Sequence, residues 1–179
     1  IFVNPTQFAP DEDFEQYPRP LEEDFLLLQE LAVNLVFAPH ETEIYPEGTA
    51  TPIEPPAVAL PWEGTYRPQH FAGVATVVCK LFNILPANVV FFGQKDYQQA
   101  IVIQQLIADL DIPIELVVCP TIREANGLAL SSRNQYLNKQ QHAQAAVLSL
   151  SLQHAQRFVE QGERSTRTLA TMIRQKLEE

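Results

Sequence analysis

The chain has 179 residues, of which 46% are apolar, with a net charge of −10 and two cysteines. That supplies one ordinary core, or one core and part of a second. No run of 18 apolar residues offers a membrane-spanning helix, no leader pattern opens the chain, and no basic patch interleaved with aromatics invites nucleic acid. We therefore expect a cytoplasmic globular protein without membrane or nucleic-acid partners.

Charge is uneven along the chain. Residues 1–54 hold 12 of the 22 acidic side chains and one base, Arg19. The remainder is nearly balanced, so an anionic small molecule would be held by a local cluster such as Lys95, Arg123 and Arg133.

In chain order, Ile1-Phe2-Val3-Asn4 reads as the tail of a buried strand ending in Pro5-Thr6-Gln7-Phe8. So abrupt a start leads us to expect further residues before Ile1. Amides such as Asn4 and Gln7 at a strand's carboxyl end can hold a polar ligand or merely cap a turn. A polar connection over residues 11–19 leads to a helix over 21–31, with Leu21, Phe25, Leu28 and Leu31 on one face. A short strand is expected at 33–37. Prolines then break up the chain, leaving room for an edge strand at 49–53. Arg67-Pro68-Gln69-His70-Phe71 opens a helix to about Ile84.

The run Val89-Val90-Phe91-Phe92 followed by Gly93 is a strand and a sharp turn. Lys95 and Asp96 stand where the next helix begins, its apolar positions being Ala100, Ile103, Leu106, Ile107 and Leu110. The carboxyl end of a parallel strand, a helix amino terminus and a lysine suit a phosphate. Alone, the same residues also describe a surface turn with a solvated ion pair. A strand at 114–119 and a loop to Gly127 follow. Beyond them Leu130-Ser131-Ser132-Arg133 offers hydroxyls and a planar cation to a polyphosphate. Two helices, 139–161 and 165–177, close the chain with no strand between. The alternation predicts an α/β fold with a right-handed, largely parallel sheet over 1–123, then a smaller, mainly helical domain over 124–179. Cys79 and Cys119 match no metal spacing and are expected as buried thiols of a reduced compartment. The four histidines are expected at the surface or in caps.

Five segments in this order carry a resemblance: Ile1 to Phe8, Tyr17-Pro18-Arg19, Arg67 to Val74, Phe92-Gly93-Gln94-Lys95-Asp96-Tyr97-Gln98-Gln99, and Gly127 to Asn134. Together they resemble the pantothenate synthetase (pantoate–β-alanine ligase) family. The resemblance implies a Rossmann-like nucleotidyltransferase domain and a smaller second domain. It implies ATP and Mg²⁺, a pantoyl-adenylate intermediate and a homodimeric full-length protein. Carried over by position, Gly93, Gln94, Lys95, Asp96, Ile122, Leu130, Ser131, Ser132 and Arg133 would bind ATP. Lys95 and Arg133 would be catalytic. Gln7, Gln99 and Asn4 would bind pantoate, with Gln7 also reaching β-alanine. Gln94 stands where many members have glutamate, an isosteric change.

The family's histidine segment upstream of the Phe-Val-Asn-Pro motif, and the end of its carboxyl-terminal domain, have no counterpart in these 179 residues. The chain thus resembles an internal fragment and is expected to be inactive alone. A related nucleotidylyltransferase with another acceptor, or a silent nucleotide-binding or dimer-forming fragment, stays open at this stage.

Overall fold

The computed structural model of the chain describes residues 1–178 and divides after Pro120 into two compact units. In the first, the helices are α1 (Leu21–Glu30), α2 (Glu41–Ile44), α3 (Glu63–Tyr66), α4 (His70–Ile84) and α5 (Tyr97–Asp109). The strands are β1 (Val89–Gly93) and β2 (Glu115–Cys119). They run parallel, in register from Val89 opposite Glu115 to Gly93 opposite Cys119, with α5 as the crossover. The fold class is α/β.

Helix α4 is the centre of the core because its sequence is apolar nearly all round: Phe71, Val74, Ala75, Val77 and Val78 are all buried. Val102, Ile103 and Leu106 of α5 pack with them, as do Ile44 and Ala59 from the proline-rich stretch. A helix hydrophobic on more than one face is stable only where other elements cover it. Gly73 permits one very close approach. A Cβ there would lie 2.2 Å from the carbonyl oxygen of Thr6, so the turn of Pro5–Gln7 rests directly on the backbone of α4.

Three expected strands do not form. Residues 1–4 and 33–37 are irregular. The amino group of Ile1 donates to the carbonyl of Phe37, but one bond is not a ladder, and apolar strand-formers become a strand only opposite a partner. Residues 49–53 are also irregular. There the prolines deny donors, Thr49 N–H closes a turn on Pro46 (3.0 Å), and Ile53 N–H goes to the Thr76 hydroxyl (2.8 Å).

Other boundaries differ too. The expected helix from Arg67 begins at His70, because Arg67 ends the one-turn α3 and precedes Pro68, which disfavours helical backbone before it. The Leu21, Phe25, Leu28 and Leu31 face of α1 buries none of its residues. Cys79 and Cys119 are free and half-buried rather than buried.

The second unit begins at Thr121. A tight hairpin pairs Arg123 with Ala129, turning at Gly127 with φ +93°. A 3-10 turn over Ser132–Tyr136 follows, then α6 (Lys139–Ala145), α7 (Val147–Glu160) and α8 (Thr166–Glu178). The single helix expected over 139–161 is thus two. The break falls at Ala146, whose N–H turns back to the Gln144 carbonyl, and no glycine or proline marks it.

Candidate active site

A cavity of about 390 Å³ lies in the first unit between the Asn4–Gln7 turn, α4 and the start of α5. Apolar walls come from Phe2, Val74, Val78, Leu81 and Phe92, and polar atoms from Asn4, Gln7 and Gln99. Such a pocket, apolar with a few placed polar groups, suits a small organic acid or alcohol. The two glutamines reach it by different routes. Gln99 sits in the first turn of α5, three residues after the end of the turn that follows β1, and its side chain has no hydrogen-bond partner among the described residues. Gln7 ends the Pro5–Gln7 turn and is held from three sides.

Asn4 Nδ2 donates to Gln7 Oε1 at 2.9 Å. The backbone carbonyl of Gln7 accepts from Arg67 Nη2 and lies against His70 Nδ1, both at 2.9 Å. Arg67 is in turn gripped by Glu12 through two contacts of 2.6 Å and by Glu63 at 2.7 Å. Hydrogen bonding to Arg67 holds the Glu12 carboxyl below its ordinary pKa. Burial works against the Arg67 charge, but its bonds to Glu12 and Glu63 outweigh it and raise the guanidinium's pKa.

The loop of Gly93 to Asp96 lies at the carboxyl end of β1. Gly93 ends the strand, Gln94–Asp96 make a 3-10 turn, and α5 starts at Tyr97. Lys95 Nζ stands 3.0 Å from both carboxylate oxygens of Asp96. Both side chains are largely exposed, so this pair contributes little to stability and its lysine is easily surrendered to an anion. The neighbouring Gln98 anchors the loop from behind. Its Nε2 donates to the carbonyls of Pro61 (2.7 Å) and Val58 (3.1 Å), and its Oε1 accepts from Glu63 N–H (3.1 Å).

In the second unit, Ile122 and Leu130 flank the hairpin and are exposed. Leu130 N–H donates to the Ile122 carbonyl at 2.9 Å. Ser131 caps the turn that carries Ser132 and Arg133, its Oγ accepting from Arg133 N–H at 3.3 Å. Glu124 braces this hairpin, accepting from Asn134 Nδ2 and lying against His142 Nε2, both at 2.8 Å. The residues expected around ATP therefore divide between the two units, Gly93 to Asp96 in one and Ile122 to Arg133 in the other.

Asn4 lines the cavity yet is not freely exposed, being 4% exposed with its amide bonded to protein partners at both ends. Nor is His70 a surface or cap residue, since only 10% of its side chain is exposed. Tyr45, Arg67, His70 and Gln98 are contributors that sequence reasoning misses. For the last three the available signal was membership of the motifs around residues 67–74 and 92–99.

The family model for pantoate-beta-alanine ligase matches residues 1–179. The chain belongs to the pantoate-beta-alanine ligase family. It is 51% identical over 174 residues to the pantothenate synthetase of Chloroflexus aurantiacus, covering 97% of this chain and 62% of that protein. It superposes on the pantothenate synthetase of Thermus thermophilus with a TM-score of 0.96 and 45% identity, over 99% of this chain and 64% of the other. The pantoate-beta-alanine ligase of Francisella tularensis, solved with beta-gamma ATP and β-alanine, matches with a TM-score of 0.76 and 38% identity, over 98% and 66%. The chain thus spans less than two thirds of the length of its first relatives, and its parallel sheet with helices is of the nucleotidyltransferase-like kind found in them.

Proposed function

We propose that the protein joins pantoate to β-alanine in a reaction driven by ATP. The observation that carries this is the placement of a glutamine-lined cavity four residues from Lys95 along a single strand-turn-helix: Lys95 stands in the turn that follows β1 and Gln99 in the first turn of α5. An acid bound by Gln99 and Gln7 is held beside the loop best suited to phosphate. Its carboxylate attacks the α-phosphorus of ATP, forming the P–O bond of pantoyl adenylate as the bond to pyrophosphate breaks. The amine of β-alanine then attacks the acyl carbon, and AMP leaves with the electron pair. An ionised carboxylate needs no general base. The protein's task is to position the two reactants, neutralise charge and keep water from the mixed anhydride.

In this reading Lys95 and Arg133 are the catalytic cations, and Gly93, Gln94, Asp96, Ile122, Leu130, Ser131 and Ser132 are ATP contacts. The first unit is the ATP- and pantoate-binding domain and the second the smaller one. Gln7 also serves β-alanine. Magnesium enters as part of the nucleotide substrate. Among the described residues no group of three His, Cys, Asp or Glu side chains could hold a metal ion, and Asp96 is paired with Lys95, so the nucleotide's phosphates would carry the magnesium. The family resemblance supports a cytoplasmic homodimer.

The test is exchange of labelled pyrophosphate into ATP by the complete protein without β-alanine. We expect exchange that depends on pantoate and pantothenate formation once β-alanine is added. Exchange without pantoate, or none at all, overturns the reading.

A further inference from the structure

The way Gln7 presents itself to the cavity is decided by Asn4 and, behind it, by two side chains that do not line the pocket, Thr6 and Tyr45. Asn4 Nδ2 lies 3.2 Å from the carbonyl oxygen of Gly73, an atom that can only accept, so this end of the amide must be the nitrogen. The opposite end, Oδ1, then faces the Tyr45 hydroxyl at 2.8 Å and the Thr6 hydroxyl at 3.0 Å, either of which can donate to it. The second hydrogen of Asn4 Nδ2 points at Gln7, 2.9 Å away, and only an oxygen can receive it. Gln7 Oε1 is therefore used inward, and Nε2 with its two hydrogens is the end left for a ligand.

We propose that Tyr45, Thr6 and Asn4 form a positioning relay that fixes Gln7 as a hydrogen-bond donor, so that the cavity accepts only a ligand turning an oxygen acceptor towards it. This rests on the cavity being the pantoate pocket. Tyr45 comes from the end of α2, 41 residues from Asn4, and is not among the residues lining the cavity. Burial raises the pKa of its phenol, keeping it protonated. Thr6 and Tyr45 also lie 3.2 Å apart, so two hydroxyl hydrogens serve three contacts. With both hydrogens inside that triangle, at least one always reaches Asn4 Oδ1. If Gln7 turned over, its carbonyl would meet the oxygens of an acid, and two acceptors would face each other without a proton.

The test compares Tyr45→Phe, Asn4→Asp and Gln7→Glu in the complete protein, measuring KM for pantoate, KM for ATP and kcat in the exchange assay. Removing one donor, Tyr45→Phe should raise KM for pantoate roughly three- to tenfold, leaving KM for ATP within twofold. Asn4→Asp offers no N–H to Gly73 or Gln7 and draws Gln7 Nε2 inward. It should raise KM for pantoate about a hundredfold or more, with the selectively labelled Gln7 side-chain amide signal no longer shifting on pantoate addition. Should Asn4→Asp fail to fold, Tyr45→Phe decides alone, since it removes a single oxygen. Gln7→Glu puts a carboxylate oxygen into the pocket and should abolish pantoate use. If it does so while Tyr45→Phe leaves KM for pantoate within twofold of wild type, the pocket stands and the relay is wrong. Parallel losses for ATP and pantoate in Tyr45→Phe also overturn the relay, reducing it to general packing. A normal KM for pantoate in Gln7→Glu removes pantoate from this cavity, and the relay falls with it.

Discussion

The carbonyl oxygen of Thr6 occupies the space where a side chain on Gly73 would begin, 2.2 Å from the ideal Cβ position. The atom in the way is backbone, so it can move only by lifting the whole Pro5–Gln7 turn. Gly73→Ala should therefore cost about 1–3 kcal/mol, as overpacking of a tight contact does, and should weaken pantoate use as well. Urea unfolding together with KM for pantoate checks both. A variant with normal stability and normal KM would show that the turn is not seated as described.

The Glu12 and Arg67 contact gives the protein an acid-sensitive fastening. Hydrogen bonding to Arg67 lowers the Glu12 pKa on folding, so its contribution is fully present above the ordinary value near 4.5 and fades as pH falls through the lowered folded value. Glu12→Gln should cost about 1–2 kcal/mol at pH 7, because Arg67 keeps Glu63 but loses two charge-assisted bonds. The difference between variant and wild type should shrink as pH falls below the ordinary value near 4.5 in denaturant titrations. A gap that stays constant with pH would assign the loss to packing instead.

Much of the architecture is readable from local pattern. Val89 to Phe92 with Gly93 specify β1 and its turn, and Ala100, Ile103 and Leu106 specify the buried side of α5. These signals are complete within a dozen residues. Ile1 to Asn4 and residues 33–37 have strand-like composition but not the long-range pairing that makes a strand, which no local pattern encodes. The same limit applies to the site. Lys95, Gln7 and Gln99 stand out by motif, whereas Tyr45 meets Asn4 across 41 residues and Arg67 meets Glu12 across 55. A short-range reading cannot see that Gly73, Tyr45 and Thr6 already use the Asn4 amide at the edge of the cavity.

Lys95 separates function from stability. Its ammonium touches the exposed Asp96 carboxylate, so Lys95→Ala should leave unfolding unchanged within about 0.5 kcal/mol. Pantoate-dependent exchange should fall by roughly two to four orders of magnitude, the loss expected when a preorganised charge is removed from a transferring phosphoryl group. Exchange near the wild-type rate would remove Lys95 from the mechanism.

Gln98 and Gln99 are adjacent but should fail in opposite ways. Gln99 faces the cavity without a protein partner among the described residues, so Gln99→Ala should raise KM for pantoate far more than KM for ATP and leave stability nearly intact. Gln98 commits its amide to the carbonyls of Pro61 and Val58 and the N–H of Glu63, holding residues 58–63 against the start of α5. Gln98→Leu keeps the bulk but strands three backbone groups, at a cost of about 1–3 kcal/mol for those that water cannot reach. Since Glu63 also grips Arg67, and Arg67 grips the Gln7 carbonyl, the loss should extend to pantoate as well as loosening the loop that carries Lys95. The expected pattern is a lower unfolding midpoint with KM values for both substrates raised. A Gln98→Leu protein of normal stability that is impaired for pantoate alone would place Gln98 in the pocket, contrary to its observed bonds.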